Sequence, residues 1–102
     1  MNNNIDKITP SMLHLLTETE AAILDAAACV KFGELLDVEI EEGERRVSKV
    51  ITSAQVAFVN ILRDEGIARL DCIIVHQGVP SQIEIYGKCG TIKYKRKIRF
   101  SN

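Results

Sequence analysis

Apolar and polar positions change their spacing several times along the chain. Ile23, Leu24, Ala27 and Val30 recur at helical spacing inside residues 18–31, an alanine-rich stretch of high helix propensity. Thr17-Glu18-Thr19-Glu20 stands before it and fits a capping box. In that motif the threonine hydroxyl accepts the Glu20 amide while the Glu20 carboxylate reaches back to the threonine N–H. Gly33 suits the stop. The period then falls to two. Leu36, Val38 and Ile40 alternate with Asp37, Glu39 and Glu41, as in a strand with one wet face. Glu42-Gly43-Glu44 carries turn chemistry, and Val47 to Ile51 reads as the return strand of a hairpin.

The pattern restarts at Thr52-Ser53-Ala54-Gln55, a second capping box. Residues 54–65 follow as a helix, with Phe58, Ile61 and Leu62 on one face and Gly66 as the stop. Leu70 to His76 is an apolar strand. Residues 77–81 form a turn, and Gln82 to Tyr86 alternates again with Ile83 and Ile85 on one face. Gly87 to Gly90 reads as another turn, and Thr91 to Phe100 as a last, basic strand. Upstream, residues 1–8 are polar and aperiodic, the pattern of a flexible N-terminus. Thr9-Pro10 then suits a helix start, with Met12, Leu13, Leu15 and Leu16 in a short helix or in a turn running into the next one.

These elements predict an α+β domain over residues 9–102, made of two αββ units. The first covers 18–51; the second covers 52–100 and adds a C-terminal strand. The halves align crudely, Ile23-Leu24 with Ile61-Leu62, which suggests an internal duplication. A lone hairpin is marginal in water, so the two units are expected to share a mostly antiparallel sheet of four or five strands with both helices on one face. The expected core is Ile23, Leu24, Val38, Ile40, Phe58, Ile61, Leu62, Ile74, Ile83 and Ile85.

Length and composition agree with one modest domain: 102 residues, 46% hydrophobic, 26% charged. A chain of this size leaves much surface uncovered, and a homodimer is expected to extend its core. The net charge of -1 masks an asymmetry. Residues 1–50 hold ten acids and five bases, whereas 51–102 hold four acids and eight bases. The three cysteines, Cys29, Cys72 and Cys89, come without an export-type N-terminus or a long apolar run, which points to a cytoplasmic protein with reduced thiols and no membrane segment.

Residues 75–84, Val-His-Gln-Gly-Val-Pro-Ser-Gln-Ile-Glu, resemble the hairpin of the YezD-like family of small bacterial proteins. Lys97-Ile98-Arg99-Phe100 is similar to that family's basic-Ile-Arg-apolar tail, and Lys31-Phe32-Gly33 to its basic-aromatic-Gly step between helix and hairpin. The likeness covers the second half of the chain and, weakly, the first. Between Glu84 and Lys97 this chain carries a longer insert with its own turn. The resemblance implies a helix followed by a hairpin and implies no activity.

Candidate chemistry is sparse. Cys72, His76 and Cys89, with Cys29 or His14 as a fourth, have the donor types zinc prefers. Residues four apart on a strand lie roughly 13 Å apart, however, so Cys72 and His76 do not meet at one metal. The same distance defeats a Cys–His catalytic pair. Glu39, Glu41, Glu42 and Glu44 read as the wet face and tip of a hairpin and lack the pattern of a calcium loop. No enzyme, metal site or cofactor is expected.

The strongest binding candidate is the basic C-terminal run of Lys88, Lys93, Tyr94, Lys95, Arg96, Lys97 and Arg99, with no acid between residues 88 and 99. Such a run can neutralise phosphates beside rings that stack on bases. It can also protect a sheet edge, or dock on the acidic segment of a protein partner or a second copy. The sequence alone favours a small non-catalytic regulatory protein with a protein partner. A nucleic-acid-binding regulator using the basic strand is the alternative, followed by an oligomeric metabolic enzyme subunit.

Overall fold

The computed structural model of the chain describes residues 12–99. The expectations for residues 1–8 and for Thr9-Pro10 lie outside these. The elements run β1 (Met12–Leu16), α1 (Glu18–Val30), β2 (Gly33–Glu39), β3 (Val47–Ile51), α2 (Ser53–Glu65), β4 (Arg69–His76), β5 (Val79–Cys89) and β6 (Ile92–Arg99). This is an α+β fold in which two helices pack on a mostly antiparallel sheet. Four strands lie in the order β2-β4-β5-β6, and β1 and β3 form a separate antiparallel ribbon.

Both capping boxes form. The Thr17 hydroxyl accepts the Glu20 N–H at 3.1 Å and Glu20 Oε1 accepts the Thr17 N–H at 2.9 Å. Thr52 and Gln55 repeat the exchange at 3.3 and 2.8 Å. Each box fixes where its helix begins, and Gly66 closes α2 in the left-handed conformation at φ 63°. The box at Thr17 also decides what precedes it. An N-cap residue is extended, here at φ -73° and ψ 164°. The residues before it therefore leave the helix path. Met12–Leu16 is accordingly a strand and not the expected short helix, because β3 offers it a ladder from Met12↔Ile51 to Leu16↔Val47. Leu16 and Ile51, each directly before a capping threonine, are both fully buried.

The first hairpin does not form. β2 pairs with β4, from Gly33↔Val75 to Glu39↔Arg69, and β3 pairs with β1. Each half of the chain thus runs strand, capped helix, strand, and corresponding strands of the two halves pair with each other. The acidic segment Glu41, Glu42 and Glu44 lies in the crossing between the two sheets and not at a hairpin tip.

The core lies between the helices and one face of the four-stranded sheet. Leu35, Ile73, Ile83 and Ile98 face each other across all four strands, and Ile73 and Ile83 are fully buried. Leu24 and Ala27 of α1 and Phe58, Val59 and Leu62 of α2 cover that face. The adjacent row, Leu36, Cys72, Glu84 and Lys97, lies on the opposite, open face. Leu36, expected on the same face as Val38 and Ile40, is 63% exposed. The expected alternation fails because Asp37 takes a left-handed conformation at φ 51°. That residue shifts the pleat by one, so Leu35 and then Val38 and Ile40 pack against the core. Aspartate accepts this backbone more readily than most residues do. Ile74, also expected in the core, sits on the open face between Ile73 and Val75, which take the inner positions.

Candidate polyanion-binding hairpin

Gln77 and Gly78, both at positive φ (52° and 79°), make the two-residue turn of the β4–β5 hairpin. This is the backbone of a type I′ turn, which matches the twist of the flanking strands. The β4–β5 ladder ends at Cys72↔Glu84, but β5 does not. Its ladder with β6 continues through Tyr86↔Lys95 and Lys88↔Lys93 to Cys89↔Ile92. The expected turn at Gly87–Gly90 is therefore shorter. Gly87, Lys88 and Cys89 belong to β5, and the chain reverses at Gly90-Thr91, with Gly90 at φ 65°.

Beyond Glu84, β5 and β6 continue as a two-stranded arm past the end of the β4–β5 ladder. Ile85 packs against the core, and two hydrogen bonds also tie the arm to the body. Asp71 Oδ2 accepts the Tyr86 N–H at 2.8 Å, in place of a ladder bond from β4. Arg96 Nη1 donates to Glu65 Oε1 at 3.1 Å, at the end of α2.

Register sorts the basic residues into two sets. Side chains directly opposite in a ladder share a face, and successive residues alternate. Lys88, Lys93, Lys95, Lys97 and Arg99 all fall on the open face, together with Tyr86. Arg96 and Tyr94 fall on the helix side, opposite Ile85 and Gly87. The expected seven-residue set is thus divided, and Tyr94 does not share a face with the lysines. Its ring instead lies against Gly87. A methyl group there would meet the Tyr94 ring end at 2.6 Å, so the glycine makes room for it.

The aromatic residue that does lie among the lysines is Tyr86, outside the expected set. It is 57% exposed, and Lys95 Nζ stands 5.7 Å from its ring centroid. Strand alternation from Lys88 back to Tyr86 carries the signal, but a turn expected over Gly87–Gly90 conceals it.

The ion pairs of the described residues sharpen this division. Arg96, on the helix side, has Glu65. Lys88, Lys93, Lys95, Lys97 and Arg99 form no ion pair among the described residues, although Glu84 stands directly opposite Lys97 on the same face. Arg99 Nε donates instead to the neutral Gln82 Oε1 at 3.3 Å. Lys88 and Lys93 stand directly opposite each other. Like charges in that position cost stability, a cost that an anion bound between them would offset.

The cysteines and histidines do not form a centre. Cys72 Sγ lies 3.1 Å from Glu34 Oε1 on the open face. Burial, the hydrogen bond to Glu34 and the charges of Glu34 and Glu84 push its thiol up to about 12, which leaves it protonated and unreactive near neutrality. His76 packs edge-on against Phe32 with centroids 5.2 Å apart. Cys89 lies at the far end of β5. Among the described residues no three His, Cys, Asp or Glu side chains are placed to hold a metal ion. No described helix is long and apolar enough to cross a membrane.

No family model, curated protein or solved structure matches this chain. The likeness to the YezD-like family therefore rests on the sequence motifs alone.

Proposed function

We propose that this protein is a small binding protein that holds nucleic acid on the open face of the β5–β6 hairpin. The observation that carries this reading is the register. It places Lys88, Lys93, Lys95, Lys97 and Arg99 on one face while Arg96, the cation with an acidic partner, is on the other. A row of cations that form no ion pair among the described residues attracts a polyanion and releases its counterions on contact. Protection of the β6 edge accounts for lysines on that strand. It gives no account of why they share their face with an exposed tyrosine.

A second reading, a protein partner, draws on a different surface. The outer face of the β1–β3 ribbon bears Leu13, Leu15 and Val50, which are 67%, 56% and 62% exposed. Leu13 and Val50 are directly paired. Three large apolar side chains together on an open ribbon suit a protein contact better than water. The two readings are compatible, because the ribbon and the basic hairpin belong to different sheets.

Capture of tagged protein from its native extract, with and without nuclease, separates them. Nucleic acid recovered with the wild type, and lost when Lys93, Lys95 and Lys97 are changed to Gln, supports the first. Protein partners that survive nuclease and disappear in Leu13→Glu support the second. Recovery of nucleic acid unaffected by the triple change contradicts the role given to the hairpin.

A further inference from the structure

We infer that the hairpin face takes single-stranded nucleic acid in preference to duplex, with an unpaired base stacked on Tyr86. This rests on the nucleic-acid reading above and narrows it.

Two features of the face carry the inference. The first is the shape of the cation row. Lys93, Lys95, Lys97 and Arg99 are alternate residues of one strand. Alternate residues on a strand lie roughly 7 Å apart in a nearly straight line. That spacing is close to the distance between successive phosphates of an extended single strand. A duplex backbone curves away from a straight row and would meet only part of it.

The second feature is Tyr86. A ring at the surface of a protein usually finds apolar cover. Tyr86 is more than half exposed, and Lys95, directly across the ladder, stands over its ring. The ring therefore stands beside the cation row, one strand away from it, where a base attached to a phosphate held by Lys93 or Lys97 would lie. Its position is fixed by the strand and by the bond from its N–H to Asp71. Bases within a duplex are already stacked on each other and cannot use such a platform without being pulled out. A single strand offers its bases at little cost, and stacking on an aromatic ring accepts any of them.

Lys95 links the two features. In the free protein its ammonium lies over the Tyr86 ring, a cation–π contact. A base arriving on that ring face displaces the ammonium and brings its own phosphate as the replacement partner. Tyr94, although it lies in the middle of the basic run, is assigned no contact with the strand. It packs against Gly87 on the other face.

The test compares three probes on the full chain at low salt: a labelled oligo-thymidine, a labelled duplex of equal length, and heparin as a polyanion without bases. The expected result is binding of the oligo-thymidine at least about tenfold tighter than the duplex. Tyr86→Ala should weaken oligo-thymidine binding by about tenfold, within the range seen for loss of one stacking ring. It should leave heparin binding unchanged, and Tyr86→Phe should restore the oligo-thymidine affinity. The chain has no tryptophan and two tyrosines. In Tyr94→Phe the remaining tyrosine fluorescence comes from Tyr86 and should be quenched by oligo-thymidine. Equal affinity for duplex and single strand overturns the inference and leaves the nucleic-acid reading standing. A Tyr86→Ala loss that is absent, or is the same with heparin, does so too. Failure of the wild type to bind oligo-thymidine and duplex overturns both.

Discussion

Arg63 holds Glu20 with two parallel hydrogen bonds, Nε to Oε2 at 2.9 Å and Nη2 to Oε1 at 2.7 Å. Glu20 sits in the first turn of α1 and Arg63 in the last turn of α2. The same carboxylate closes the capping box on Thr17, and Arg63 Nη2 reaches the Leu15 carbonyl at 3.2 Å. One ion pair therefore joins the start of one helix, the end of the other, and the ribbon strand before them. Glu20 is buried, so removing its partner leaves a charge without compensation.

Arg63→Met should cost about 3 kcal/mol in urea unfolding, the lower end for breaking a buried pair. Glu20→Gln, which removes the charge and keeps a capping amide, should cost less. A double-mutant cycle with Glu20→Ala should show the two changes to be strongly non-additive.

The pair also sets a pH dependence. Burial pushes the Glu20 carboxyl up. Hydrogen bonds from Arg63 and Thr17 and the charges of Arg63 and Arg45 outweigh this and hold it below its ordinary value. A folded value below the unfolded one stabilises the protein in full above the unfolded value of about 4.3. That stability is lost as the pH falls through the folded value. Arg63→Met removes the Arg63 hydrogen bond and charge from this balance and leaves burial, so the folded value moves up and less stability should be lost in acid than in the wild type. Urea midpoints measured from about pH 7 down to about pH 3 should fall less in the variant than in the wild type, from a lower starting point.

The shifted pleat at Asp37 is tested by its two neighbours. Leu36→Ala should change stability by no more than about 0.5 kcal/mol, as exposed positions do. Leu35→Ala, packed against the core, should cost clearly more. Phe58→Ala, at a fully buried position, should cost about 3–5 kcal/mol. Equal losses at Leu35 and Leu36 would mean that the strand keeps a regular pleat through Asp37.

The thiols should react unequally. Cys29 and Cys89 are exposed, whereas Cys72 is buried against Glu34 with its thiol pushed up to about 12. Iodoacetamide near neutral pH should add two adducts to the folded chain and a third only in denaturant, read by intact mass. A folded chain with three adducts would contradict the placement of Cys72.

What the sequence makes legible here depends on range. The capping boxes at Thr17 and Thr52 and the α2 stop at Gly66 are decided by residues within four positions of each other and are readable from it; the turn expected over residues 77–81 is real but only Gln77 and Gly78 make it, with Val79, Pro80 and Ser81 already in β5. Strand partners are decided by long-range competition. Val47–Ile51 reads correctly as a strand, but its pairing with Met12–Leu16 instead of β2 depends on where the helices place both strands. Asp37 shows a third limit: an apolar alternation that looks continuous from Leu36 to Ile40 conceals a backbone shift. At the site, Lys93, Lys95 and Lys97 are readable as a common face. The place of Tyr86 beside them is not, until the turn is known to lie at Gly90 and not at Gly87.

The most direct measurement is the salt dependence of oligo-thymidine binding by the wild type and by the variant with Lys93, Lys95 and Lys97 changed to Gln. Single strands release about 0.7 counterion per phosphate neutralised, so five cations predict a slope of log K against log salt of about -3.5. The variant keeps Lys88 and Arg99, and its slope should fall to about -1.4 with its fold intact by circular dichroism. A wild type with no measurable binding at low salt would contradict the account, as would a slope that the three changes leave untouched.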